Sequence, residues 1–189
     1  MRSNRREILL AALNDSDSGV RQAAAESLDL FERYQGLSSL EQVLVSGSRQ
    51  QRVAAVYVLE SLNCAAANTL LMMALNDGDD DVRAVAIQIA GSRRLPEALP
   101  VLVQCLKAAD VSVAVYAANA LGQYNDERLV AYLQAICRQA DTELLCASLA
   151  ALGQLGFIQA QDCVCGYIDD LRAEVRMAAV RALGLLHQS

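Results

Sequence analysis

The amino-acid sequence predicts an all-α solenoid, a superhelix of six consecutive helix pairs. Three observations predict it. Hydrophobic residues make up 54% of the chain, yet aromatic ones make up only 4%. Two prolines and ten glycines are too few for a turn-rich β fold. Above all, the chain repeats itself every 31 residues without a gap. Small and aliphatic side chains suit close helix packing, whereas sandwiches and barrels draw on aromatic and β-branched residues. At 189 residues the chain is long enough to bury a core of its own.

The repeat is visible column by column. One column reads Arg21, Arg52, Arg83, Ala114, Leu145 and Arg176, and another reads Leu9, Leu40, Leu71, Leu102, Leu133 and Val164. A third reads Ala24, Ala55, Ala86, Ala117, Ser148 and Ala179. A fourth reads Leu28, Leu59, Ala90, Leu121, Leu152 and Leu183, followed by Asp29, Glu60, Gly91, Gly122, Gly153 and Gly184. These columns divide one repeat domain, 1–189, into units 4–34, 35–65, 66–96, 97–127, 128–158 and 159–189.

Each unit reads helix, short polar loop, helix. In the first, Glu7–Leu13 precedes Asn14–Gly19 and then Val20–Phe31; in the third, Thr69–Leu75 precedes Asn76–Asp81 and then Val82–Ala90. The second helix is announced by Asp17, Ser48, Asp79, Asp110, Asp141 and Arg172, and all but the last are good N-caps. Ala24 and Leu28, four apart, form a stripe that faces a neighbouring helix. Pro96 sits where the fourth unit's first helix begins, a place proline tolerates, and Pro100 tightens the following turn. The recurring glycine after Leu121, Leu152 and Leu183 is costly inside a helix, so it points to close contact with the next unit or to a helix near its end.

Charge and composition exclude several function classes. The net charge is −6, and Lys107 is the single lysine, so a phosphate backbone is repelled and no nucleic-acid partner is expected. No run of about 18 apolar residues appears, so no membrane span is expected. The arginines before Ile8–Leu13 suggest a signal peptide, but the apolar stretch is too short and Asn14-Asp15 ends it. Six cysteines (64, 105, 137, 146, 163 and 165) in a core-competent chain read as small hydrophobes in a reducing cytoplasm, with Cys163 and Cys165 in largely apolar columns. Cys146 lies on the face argued for below, with no cation within one turn, and reads as an inert surface thiol.

No metal or cofactor is expected. His187 is the sole histidine and reads as a solvated tail residue, so repeated His–Glu metal pairs are ruled out. Asp77–Asp81 lacks the twelve-residue alternation of a calcium loop and reads as a capped, solvated turn.

The pattern Asp-x-x-Val-Arg-x-x-Ala-Ala-x-x-Leu-Gly, carried by Asp17–Leu28, Asp79–Gly91, Asp110–Gly122 and Val175–Gly184, resembles HEAT repeats. It is most similar to the short HEAT-like repeats named after phycobilisome lyases. The resemblance implies that the second helix of each unit lines the concave side of a right-handed superhelix. It also implies a structural ladder in which Arg21, Arg52, Arg83 and Arg176 brace neighbouring loops by pairing with Asp17, Asp79, Asp110 and Asp141, broken at Ala114 and Leu145. One function it implies is a phycobilin lyase-like or chromophore-chaperone role, with a bilin and a phycobiliprotein-type partner. Other HEAT-like proteins excise alkylated bases, but that work needs a basic groove and aromatic platforms, and this chain has no Trp.

Columns that do not repeat locate a binding face. Tyr57, Gln88 and Asn119 occupy one such column, Tyr116 a second, and Gln123 and Gln154 a third. Tyrosine set among amides and small apolar residues suits a protein partner. The expectation is a non-enzymatic scaffold or adaptor of a bacterial-type cytoplasm. Its partner sits on the concave face at Tyr57, Gln88, Tyr116, Asn119, Gln123 and Gln154. Arg2, Arg5 and Arg6 give the first unit a polar entry. The apolar last helix, ending Leu183-Gly184-Leu185-Leu186, implies a homodimer through the C-terminal unit or a longer array.

Overall fold

A computed structural model describes residues 4–187. The described residues form eleven α-helices and two short 3-10 turns, with a single bridge, between Phe157 and His187, as the only β pairing. The chain divides into two compact units, Met1–Gln51 and Arg52–Ser189.

In the first unit α1 (Arg5–Ala12) packs against α2 (Ser18–Ser46). Asn4 caps α1 by accepting from the Arg6 N–H, and Asp17 caps α2 by accepting from the Gly19 and Val20 N–H groups. Arg6 pairs with Glu32 at 3.1 Å, and the Arg5 guanidinium lies 5.7 Å from the Phe31 ring centre. Arg2 lies outside the described residues. The helix expected over Val20–Phe31 does not end there but runs on past the unit boundary at 34/35, because α2 is one helix to Ser46. The reason is local. Phe31-Glu32-Arg33-Tyr34-Gln35 offers neither cap nor proline, and Gly36 alone costs only about 1 kcal/mol. Gly47-Ser48 supplies the stop instead.

The second unit takes most of α3 (Arg49–Ser61) and then four packed helix pairs. These are α4 (Ala65–Ala74) with α5 (Asp80–Ser92), α6 (Leu99–Cys105) with α7 (Val111–Leu121), α8 (Arg128–Cys137) with α9 (Thr142–Leu155), and α10 (Gln161–Cys165) with α11 (Ala173–Leu183). The second helices stack in order, α5 on α7, α7 on α9 and α9 on α11. Pro96 opens a 3-10 turn and Pro100 lies in the first turn of α6. The repeating columns are the core: Leu71, Leu102, Leu133 and Val164 are fully buried, as are Ala86, Ala117, Ser148 and Ala179. Met177, Val180 and Leu185, at the far end, stay more than half exposed.

The glycine column marks where one repeat closes on the next. A β-carbon on Gly91 would fall 2.6 Å from the Ala120 Cβ, and one on Gly153 would fall 2.6 Å from the Ala182 Cα. Gly122 meets Ala151 in the same way, whereas Gly184 meets only carbonyls of its own helix.

At Arg21, Arg83 and Arg176 the arginine column works differently from the expected pairing. Arg21 donates to the Asp15 and Ser16 carbonyls, Arg83 to the Asp77 carbonyl, and Arg176 to the Asp170 and Leu171 carbonyls. Each therefore closes its own loop, five or six residues back, rather than reaching the capping aspartate of a neighbour. Arg83 also pairs with Asp80. Arg52 reaches the next loop, forking onto both carboxylate oxygens of Asp77 at 2.8 and 3.1 Å. Asp79, Asp110 and Asp141 cap their helices by accepting from Asp81, Val113 and Leu144. Where arginine is missing, Ala114 and Leu145 are each 1% exposed and join the core.

Candidate partner-binding groove

Three second helices of the Arg52–Ser189 unit wall one groove. Stepping by 31 residues moves from α3 to α5 to α7 at one helical register, so Tyr57, Gln88 and Asn119 come side by side. On α7, Tyr116, Asn119 and Gln123 lie three and four residues apart and share a face. Together these side chains line a groove of about 290 Å³ with Glu60, Val85, Ile89, Ser92 and Ala120. Val85, Ile89 and Ala120, all buried, form its apolar floor. Among the described residues Glu60 is the single charged side chain lining it.

Both tyrosines are accessible. Tyr57 is 56% exposed and Tyr116 36%, so neither is consumed by packing between helices. Two accessible phenol rings therefore border an apolar floor, together with amides that both donate and accept hydrogen bonds. Such a lining fits uncharged polar groups and apolar side chains and brings no cation to a phosphate.

Gln154 lies in a second, wider groove of about 690 Å³ on the same unit. Asn119 and Gln123 line both, which makes the two continuous across α7, and Arg94 and His187 also line the second. His187 is not a free tail. Its N–H donates to the Gly156 carbonyl at 3.0 Å, and its ring lies where a side chain on Gly156 would have to be. Gly156 has φ +77°, so glycine is required there twice over.

Two side chains that hold the groove helices escaped the column reading. Arg93 and Tyr124 stand 31 residues apart and do one job with different chemistry. Arg93 donates to the Leu59, Glu60 and Leu62 carbonyls at the end of α3 and to Asn68. The buried Tyr124 hydroxyl reaches the Ala90 and Leu95 carbonyls at 3.2 and 3.0 Å. Leu59 and Ala90 are themselves 31 apart, so both residues tie off the preceding second helix. A column that changes from arginine to tyrosine carries no visible repeat signal. Burial, helped by Glu97, pushes the Tyr124 hydroxyl up to about 12.

Cys146 is half-buried rather than a surface thiol. Burial and Glu174 push its pKa up, against a smaller opposing pull from Arg172 of the next repeat. Among the described residues no three histidine, cysteine or acidic side chains converge as a metal site would need, and no helix is long and apolar enough to cross a membrane.

Comparison with known proteins identifies the repeat. The family model for HEAT repeats matches residues 37–116 and again 67–145, together more than half of the chain. The chain belongs to the HEAT repeat family. One similar solved structure is a chain from the complex of CpcE and CpcF of phycocyanin lyase from Nostoc sp., at 19% identity and TM-score 0.65, covering 79% of this chain and 98% of that one. An engineered protein matches at 20% identity and TM-score 0.62, covering 96% of both chains. YibA of E. coli matches at 21% identity and TM-score 0.61, covering 94% of this chain and 69% of that one. At these identities the HEAT fold is what is shared. No curated protein matches by sequence.

Proposed function

We propose that this HEAT repeat chain is a non-enzymatic scaffold that holds a partner protein in the groove lined by Tyr57, Gln88, Tyr116, Asn119 and Gln123, with Gln154 at its continuation. The carrying observation is the pair of accessible tyrosines over a buried apolar floor, with amides around them. Protein interfaces draw most of their energy from a few aromatic anchors inside a neutral, water-excluding surround. The groove is open and runs on across α7 into the second one of about 690 Å³, whereas small-molecule sites bury most of their ligand's surface. It therefore suits side chains of a larger partner better than an engulfed small molecule. The test is capture from source lysate by wild type and by the Tyr57→Glu/Tyr116→Glu variant, with circular dichroism confirming that both fold. A protein held by wild type and released by the variant supports the reading. Equal capture by both removes the groove from it.

The likeness to a phycocyanin lyase chain favours a second reading. Here the chain acts as a phycobilin lyase-like protein or chromophore chaperone on a phycobiliprotein-type partner. The solved neighbour is itself a complex of CpcE and CpcF, which also favours a protein partner for this chain. Incubation with phycocyanobilin decides it. A retained, red-absorbing band after gel filtration supports the chaperone reading, and colourless protein removes it.

A further inference from the structure

Two thiols meet between α8 and α10, away from the groove. Cys137 ends α8 and is 3% exposed, and the half-buried Cys163 lies at the middle of α10. The two thiols are near enough to shift each other's ionisation, Cys137 upward and Cys163 downward. Two further contacts fix the register: Gln134 donates to the Gln159 carbonyl at 2.9 Å, and the Tyr167 hydroxyl to the Cys137 carbonyl at 2.8 Å. Cys163 and Tyr167, four residues apart, therefore address the same end of α8.

The repeat shows that this pairing is not a routine core choice. Positions equivalent to Cys137 carry Leu13, Leu44, Leu75, Leu106 and Ile168, and those equivalent to Cys163 carry Ile8, Ser39, Leu70, Val101 and Tyr132. Both columns turn to cysteine at one junction only. Cysteine fills less space than the leucine and isoleucine of the Cys137 column, so packing alone gives no reason for that exchange.

We propose that Cys137 and Cys163 form a reversible thiol–disulfide site, oxidised by hydroperoxides such as hydrogen peroxide, which staples α8 to α10. Cys163 is the attacking thiol. The neighbouring Cys137 thiol lowers its pKa, against burial and with help from Arg138, and Cys163 is the more accessible of the two. Cys137 is pushed the other way, by Cys163 and by burial. The Cys163 thiolate attacks one peroxide oxygen. A sulfur–oxygen bond forms, the oxygen–oxygen bond breaks, and hydroxide leaves to become water. The Cys137 sulfur then attacks the sulfenic sulfur of Cys163. A disulfide forms, the sulfur–oxygen bond breaks, and a second water departs with the Cys137 proton. Two thiols lose two electrons in all, and the peroxide becomes two waters. The loop closed by this bridge contains all of α9, which carries Gln154.

The test treats the reduced full chain with equimolar hydrogen peroxide, blocks remaining thiols with N-ethylmaleimide, and maps tryptic peptides without reduction. The expected result is loss of two of the six thiols, a Cys137–Cys163 link assigned by fragmentation, and recovery of both by dithiothreitol. In Cys137→Ser the same treatment leaves Cys163 as a sulfenic acid trapped by dimedone. Cys165→Ser, which changes an exposed thiol two residues away, retains the bridge. The proposal is overturned if Cys137 stays free while Cys163 is unchanged or becomes a sulfinic acid. A bridge that involves Cys165, or one that forms only in urea-unfolded protein, overturns it equally.

Discussion

Gly153 and Gly184 occupy one column of the repeat, yet a methyl group at each meets different surroundings. At Gly153 the added carbon would press on the Ala182 backbone and side chain. At Gly184 it would make ordinary contact with the carbonyls of its own helix. Gly153→Ala is therefore expected to lower stability by about 1–3 kcal/mol through overpacking. Gly184→Ala is expected to be neutral or to raise it by up to about 1 kcal/mol through helix propensity. Urea unfolding of the pair reads the difference, and equal shifts would sink the close-approach account. Ser148 is the converse case. Its column holds alanine in every other repeat, and its buried Oγ has no hydrogen-bond partner among the described residues. Ser148→Ala is expected to stabilise by about 1 kcal/mol, since an unsatisfied hydroxyl is removed with little change of shape.

At the scale of an element, helix ends carry the arrangement of α3, α5 and α7. The last carbonyls of a helix need donors, and Arg93 and Tyr124 bring them from the following repeat. Arg93→Ala is expected to cost roughly 2–3 kcal/mol, because charged donors are lost from partly buried carbonyls. Tyr124 also sets a pH dependence. Its folded pKa of about 12 lies above the ordinary value of 10.0. Between those values the folded chain keeps a proton that the unfolded chain releases, so the contribution is whole below about pH 10 and is lost as pH rises towards 12. Unfolding midpoints measured from pH 9 to 12 should fall more steeply for wild type than for Tyr124→Phe. Equal slopes would place the alkaline loss elsewhere.

At the scale of the whole molecule, the repeat sets which side chains are free to vary and which are spent on stacking. Salt is the simplest probe of what the groove holds. A partner anchored by tyrosines and amides should lose less than about two-fold in affinity between 50 and 200 mM salt, whereas a protein making 6–10 phosphate contacts would lose about 10³–10⁵-fold. A steep salt slope would contradict the neutral-groove reading. Much of this was legible in the sequence, because a strict 31-residue spacing puts equivalent residues at equivalent places. The columns alone identify the core leucines and alanines, the aspartate caps and the neighbourhood of Tyr57, Gln88, Asn119 and Tyr116. Other features needed the folded chain. Whether 34/35 would break depended on a missing stop signal competing with a continuous helix. Arg93 and Tyr124 share a task but not a chemistry, so no column marks them. Cys137 and Cys163 stand 26 residues apart, off the repeat spacing, and only the bonds of Gln159 and Tyr167 to the end of α8 bring their neighbourhoods together. Periodicity determines which face of a helix is buried. Contacts made between different columns depend on how the helices pack, and only the tertiary structure decided those.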